Sequence, residues 1–277
     1  MKKSASERKV RIEEVPLQRI APHGDLRTRF IEVQHPWINR GVDRWISLLE
    51  PTSHWPVRVT GAFDSEGLLL ATLVRVFSPF TLDRFDRLFE RGAHRSPHEP
   101  CRPTWHFIAV TRHEDGRGLG LGRKLVKATL DLVSQQTPDA YVCTLSPAVG
   151  IKKLTTQLQP DDGWTRDTAL RTIREASHTD GKPLLPVLRL HLAAGAALDA
   201  VLWQSRQDDV DSGNITLRFT YALEQEARSE AMARYMAWVA ERARTISEGR
   251  AQPIGAAAIN WWISPDTRDL LDDTHIP

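Results

Sequence analysis

Cysteine is scarce, with Cys101 and Cys143 the only two in 277 residues. That is too few for a disulfide framework, and no Cys/His cluster has the ligand spacing of a zinc site. A reducing compartment, the cytoplasm, is the expectation. No run of about eighteen apolar residues occurs, so no membrane-spanning helix is expected. The basic start Met1-Lys2-Lys3-Ser4 leads into polar residues rather than the apolar stretch of a secretory signal. An excess of one charge is also missing. With 37 Lys and Arg against 35 Asp and Glu, the formal net charge of +2 provides no field to hold nucleic acid or a membrane surface. There is no internal repeat and no low-complexity tract. What is present is an ordinary globular composition, 41% hydrophobic and 26% charged, on a chain long enough for a sizeable core.

The most informative stretch runs from Trp105 to Leu145. Trp105-His106-Phe107-Ile108-Ala109-Val110-Thr111 is aromatic and β-branched, as a largely buried strand is. After polar Arg112 to Asp115 comes Arg117-Gly118-Leu119-Gly120-Leu121-Gly122, where glycines on alternate positions permit positive φ and a close approach of backbone to ligand. A helix starts there. Leu121, Leu125, Ala128, Leu132 and Val133 recur at helical spacing, with Arg123, Lys124, Lys127 and Asp131 on the other face. Pro138 closes the helix and Ala140 to Leu145 reads as the next strand.

A glycine turn opening a helix aims unpaired N–H groups, backed by the positive end of the helix dipole, at one spot. It is an anion site, most naturally for phosphate. A dinucleotide fingerprint needs G-x-G-x-x-G, whereas residue 123 is arginine; a Walker loop needs Gly-Lys-Ser/Thr, whereas Gly122 precedes Arg123-Lys124-Leu125. The pattern Arg/Gln-x-x-Gly-x-Gly/Ala between strand and helix is satisfied. Here the sequence resembles the GNAT superfamily, the GCN5-related acyltransferases. The resemblance implies that Arg117, Gly118, Leu119, Gly120, Leu121, Gly122 and Arg123 hold the diphosphate of coenzyme A. One departure is the segment from Thr111 to Gly116, about two residues longer than the family's usual Pro-containing link. The bland alternative is a turn that merely lets helix and strand pack.

Along the chain, residues 1–9 read as a disordered start, Val10 to Val15 as a first strand, and Asp25 to Leu49 as one or two helices broken near His35-Pro36. Val57 to Phe63 and Leu68 to Phe77 bracket Asp64-Ser65-Glu66-Gly67, a hairpin signal. Residues 79–103 read as an inserted loop with one short helix, a candidate lid. Lys153 to Thr165 reads as a loop and 166–180 as weakly helical. Pro186 to Ala193 reads as a short helix stopping at Gly195, and Leu198 to Trp203 and Ile215 to Leu223 as strands. A long C-terminal helix follows, carrying Ala227, Ala231, Tyr235, Trp238, Arg242 and Ile246, and then a tail anchored by Trp261-Trp262. The expected class is α/β, a mixed sheet of GNAT type with splayed central strands. The GNAT domain spans 10–223, and residues 224–277 form a C-terminal helical extension.

The resemblance further implies that Ile108, Ala109 and Val110 line the gap that takes the pantetheine arm. A GNAT N-acetyltransferase commonly uses a tyrosine on its fourth helix. None of the three tyrosines, 141, 221 and 235, lies between Pro186 and Ala194, where His191 stands instead. With Thr144-Leu145-Ser146-Pro147 this resembles the GNAT-like loading domains of polyketide assembly lines, of the curacin type. Those domains decarboxylate malonyl thioesters and leave acetyl on coenzyme A or an acyl carrier protein. By that likeness Thr144 and His191 form the catalytic pair, Arg206 guides the malonyl carboxylate and Trp37 forms an apolar wall. Each has a structural alternative: strand propensity for Thr144, a satisfied core position for His191, an ion pair with Asp208 or Asp209 for Arg206, plain core for Trp37. Three functions stay open: malonyl-CoA decarboxylation, N-acetyl transfer from acetyl-CoA to a small amine, and an inactive GNAT-fold binding module.

Overall fold

In the computed structural model, residues 9–38, 49, 55–89, 95, 100–158, 164–178, 180–204 and 212–248 are described, with 35–38, 158 and 175 by backbone alone. The chain divides into two compact units. One holds the residues up to Leu82 with Asp86–Cys143, the other Asp83–Phe85 with the residues from Thr144 onward.

The first unit is built on β1 (Arg11–Val15), α1 (Leu17–Ile20), α2 (Arg27–Ile38), β2 (Val57–Phe63), β3 (Leu69–Ser78), β4 (Thr104–Arg112), α3 (Leu121–Gln136) and β5 (Tyr141–Thr144). β1 to β4 form an antiparallel meander with β5 next in order. The β2–β3 hairpin closes as its sequence dictates: Asp64 Oδ1 accepts from the amides of Glu66 (3.0 Å) and Leu68 (2.9 Å). α2 runs two residues beyond Pro36, so the chain continues helically through the expected break.

Side chains of β3 alternate between two helices. Thr72 accepts from Gln34 Nε2 of α2 at 2.7 Å, and the Arg75 guanidinium reaches Thr129 O of α3 at 3.4 Å. The sheet is therefore covered on both faces. The buried face of α3 is Leu121, Leu125, Val126, Thr129, Leu130 and Val133. Ala128 and Leu132, assigned to that face from spacing, sit at its half-exposed margin. Each fully buried leucine contributes about 1.5–3 kcal/mol, enough together to hold the start of α3 against the sheet.

Between β3 and β4 the register steps from Val74↔Ala109 to Arg75↔Phe107, so Ile108 is an extra residue, a β-bulge. Its effect is visible in the side chains. Trp105 donates from Nε1 to Thr137 Oγ1 at the end of α3, whereas Thr111, also odd-numbered, lies 3.1 Å from Thr72 Oγ1 on the α2 face.

The second unit contains β6 (Ser146–Pro147), α4 (Ile151–Leu158), α5 (Arg166–Glu175), α6 (Pro186–Leu192), β7 (Ala196–Leu202), β8 (Thr216–Tyr221) and α7 (Gln225–Ser247). β8 pairs antiparallel with β6 on one side and β7 on the other. The loop expected over Lys153–Thr165 is helical as far as Leu158. Ile151 of α4 is fully buried, and α4 meets α5 through Thr155, whose hydroxyl donates to Thr172 Oγ1 at 2.9 Å. Threonine carries no hydrophobic signature, so the inward face was invisible in the pattern. α5 starts on a capping box in which Thr165 and Thr168 bond reciprocally. α7 buries Tyr235 and Val239 and is met by the turn at Gly181 (φ +79°), where an added Cβ would lie 2.1 Å from Val239 O. Only glycine fits there.

Candidate functional site

In the first unit, β4 delivers the chain into a single 3-10 turn, Glu114–Gly116, and then the glycine segment. The turn is tied down by Asp115, whose carboxylate lies 2.8 Å from Arg29 Nη2 of α2 and 2.8 Å from His113 Nδ1. Its hydrogen bond with Arg29 holds that carboxyl below the ordinary carboxylate range. Gly118 (φ +82°) and Gly120 (φ +64°) are both left-handed, the conformation for which side chains carry a cost. Gly120 is the N-cap of α3 and makes no side-chain cap. The first helical bond runs from Lys124 N–H to Gly120 O at 3.3 Å, so the amides of Leu121, Gly122 and Arg123 have no partner within the helix. Gly118, Gly120, Arg117, Arg123 and Lys124 are exposed, Gly122 is half-buried, and Leu119 and Leu121 are buried as anchors. N–H groups without a helical partner, the dipole of a 16-residue helix and flanking cations converge on one end of α3.

Ile108, Ala109 and Val110 coincide with the bulge. A bulge leaves one residue outside the ladder and re-aims the strand beyond it, so backbone polar groups there are candidates for a ligand that runs along β4. His106 is fully buried before the bulge. Its Nδ1 lies 3.2 Å from Cys143 Sγ and its Nε2 2.9 Å from Ser78 Oγ.

In the second unit, Thr144 is fully buried. Its hydroxyl donates to Leu217 O (3.3 Å) and accepts from Phe219 N–H (3.1 Å), both on β8. Its single proton is thereby engaged. His191, on α6, is 2% exposed. Its Nε2 lies 3.1 Å from Ser146 Oγ, its Nδ1 2.7 Å from Tyr221 OH, and its ring rests on Phe219 at 4.7 Å. Burial lowers its pKa from 6.5 to about 3 and raises that of Tyr221, so the imidazole is neutral at pH 7 and carries one N–H. Ser146 is part-buried. Ser146 and Tyr221 were not assigned roles from the sequence, since they come to His191 from 45 and 30 residues away.

The structure thus places His191 with Ser146 and Tyr221, and bonds Thr144, the last residue of β5, to Leu217 and Phe219 of β8. Trp37 lies in the last turn of α2 by its backbone, and its side chain, like the whole of Arg206 and of Trp261-Trp262, falls outside the described residues.

Two solved structures share this arrangement of elements. Malonyl-CoA decarboxylase from Agrobacterium vitis superposes with a TM-score of 0.60 at 17% identity, over 81% of this chain and 63% of that one. The enzyme from Rhodopseudomonas palustris gives 0.57 at 18%, over 90% and 62%. The fold is shared with these decarboxylases. The α/β architecture with a mixed sheet expected from the sequence is the one observed. The loading GNATL domain of CurA from Lyngbya majuscula matches over 98% of its own length and 78% of this chain, at 12% identity and a TM-score of 0.47. This chain spans just over three-fifths of the length of the decarboxylase structures. No protein-family model matches it, and no curated protein does. Among the described residues no helix is long and apolar enough to cross a membrane.

Proposed function

We propose that this protein decarboxylates a malonyl thioester, releasing carbon dioxide and leaving acetyl on the thiol carrier. The observation that carries the reading is the bond between Ser146 Oγ and a neutral, buried His191 held from behind by Tyr221. Breaking the bond between the carboxyl carbon and the α-carbon leaves its electron pair as an enolate. The enolate oxygen needs preplaced donors, and a proton from solvent on the α-carbon completes the acetyl group. If the Tyr221 hydroxyl donates to Nδ1, the imidazole proton is on Nε2 and donates to Ser146 Oγ, freeing the Ser146 O–H for the thioester oxygen. The opposite tautomer would consume that proton, so the reading requires Tyr221 to be the donor to Nδ1. Thr144, with its proton on Leu217 O, is cast here as the residue that fixes β8 beneath His191. A neutral His191 also suits the step, because a cation beside the leaving carboxylate would stabilise the ground state and oppose its loss.

Coenzyme A is the proposed carrier, its diphosphate on the amides of 121–123 with Arg117 and Arg123 alongside, and its pantetheine arm along Ile108 to Val110. Arg206 and Trp37 retain their proposed roles toward the malonyl carboxylate. The decarboxylase neighbours support this reading by fold. An acyl carrier protein as final acceptor, as in polyketide starter loading, is a finer version of the same proposal.

Incubating the protein with malonyl-CoA and following product mass tests it. Acetyl-CoA should accumulate. Ser146→Ala should lower the rate about 10²–10³-fold, as loss of one oxyanion donor does, with coenzyme A affinity unchanged. Intact malonyl-CoA, or acetyl transfer from acetyl-CoA to an amine at a rate Ser146→Ala leaves alone, would overturn it.

A further inference from the structure

Two arginines interrupt otherwise apolar strands: Arg58 in β2 and Arg75 in β3. They are direct cross-strand partners. Like charges directly opposed destabilise a sheet, so their surroundings call for compensation. Arg75 is fully buried. Its Nη2 lies 2.6 Å from Glu14 Oε2 and donates to Gln136 Oε1 at 3.2 Å, and its guanidinium carbon is 4.9 Å from the centre of the Trp105 ring. Its Nε–H has no partner among the described residues. Arg58 reaches the same carboxylate only at 3.7 Å. One carboxylate thus serves two guanidiniums, and one positive charge is left over. Burial, with the Arg58 charge added, lowers the pKa of Arg75, in keeping with an under-compensated cation.

A cavity of about 340 Å3 opens here, lined by Pro56, Arg58, Phe77, Trp105, Gln136 and Thr137. Its volume is at the small end of ligand pockets. The Phe77 and Trp105 rings, in tilted contact with centroids 5.1 Å apart and planes at 58°, form one apolar wall. Trp105 Nε1–H is already bonded to Thr137 Oγ1, so the indole contributes apolar surface and no donor. What the cavity presents is an apolar wall with the half-exposed Arg58 guanidinium at its edge. The C-terminal end of α3, at Gln136 and Thr137, carries partial negative charge that works against an anion. The full charge of Arg58 on the lining outweighs it.

We propose that this cavity is a binding site for a small aromatic monocarboxylate, its ring against the wall of Phe77, Trp105 and Pro56 and its carboxylate paired with Arg58. A planar carboxylate matches the guanidinium fork, and it supplies the missing negative charge. The site lies at the opposite end of α3 from the glycine turn, about 24 Å away along a helix rising 1.5 Å per residue, and does not depend on what that turn binds.

Ligand-observed NMR and calorimetry on the full chain test the idea, with benzoate as the probe, benzamide as the neutral shape match and inorganic phosphate as charge without a ring. Benzoate should bind saturably, in the millimolar range or tighter for so small a ligand. Benzamide, phosphate and the Arg58→Gln variant should each bind about tenfold more weakly, the loss of one charge-assisted contact or of the ring burial. The fold of the variant is checked by circular dichroism. Should Arg58→Gln not fold, Phe77→Leu is read instead and should weaken benzoate while sparing phosphate. Absence of saturable benzoate binding, equal binding of benzamide, phosphate as tight as benzoate, or an unaltered affinity in the variant read would each overturn the proposal.

Discussion

Acid should destabilise this protein through His191, and the size of the effect follows from its burial. A histidine whose pKa falls from 6.5 unfolded to about 3 folded binds its proton only in the unfolded chain throughout that interval. Stability is therefore complete above pH 6.5, declines as pH drops and has lost its full share by about pH 3. At about 1.4 kcal/mol per pH unit the total is about 5 kcal/mol, of which about 3 kcal/mol is gone by about pH 4.5. Against a typical net stability of about 5–15 kcal/mol, that loss is large. Urea unfolding followed by circular dichroism between about pH 7.5 and pH 4.5 would measure it, with His191→Gln as the comparison. Asp25, Asp115 and Asp180, held below their ordinary range by Arg19, Arg29 and Lys182, lose their contribution at more acid pH and cancel in the difference. The parent should show the steeper decline. Equal slopes for parent and variant would refute the claim that a neutral, desolvated imidazole sits between Ser146 and Tyr221.

Gly120→Ala places a side chain at φ +64° and should cost about 1 kcal/mol in stability. Calorimetry should also show coenzyme A binding about tenfold more weakly, as the turn relaxes and the amides of 121–123 swing away; an undiminished affinity would speak against the diphosphate assignment. Tyr221→Phe removes the partner of Nδ1 and should cost about 1–3 kcal/mol. It should lower kcat on malonyl-CoA while leaving KM alone, and an unchanged kcat would reduce the hydroxyl to a packing role.

The readable parts of this chain were those whose physics is local. The left-handed glycines, the Asp64 to Gly67 hairpin, the amphipathic α3 and the Pro186 start of α6 each declare themselves within a few residues. His191 was legible as an odd residue in a tyrosine's place. Its real neighbours were not, because Ser146 and Tyr221 join it only once β8 lies between β6 and β7. The sequence shows a tyrosine missing from the helix but not that Tyr221 reaches the same imidazole from a strand. α4 escaped notice because its inward face uses Thr155 and only one full turn of apolar spacing. The step at Ile108 left no mark, since a bulge in a run such as Phe107-Ile108-Ala109-Val110 alters pairing and not composition.

That step has a consequence for how this chain tolerates length changes during divergence. A strand repeats every two residues, so the supernumerary Ile108 sets the parity of everything before it relative to everything after. Losing one codon there would turn Trp105 toward α2 and His106 toward Gln136, leaving the indole no Thr137 and bringing an imidazole against a buried guanidinium. Homologous chains should accordingly vary the identity of this position far more freely than its presence.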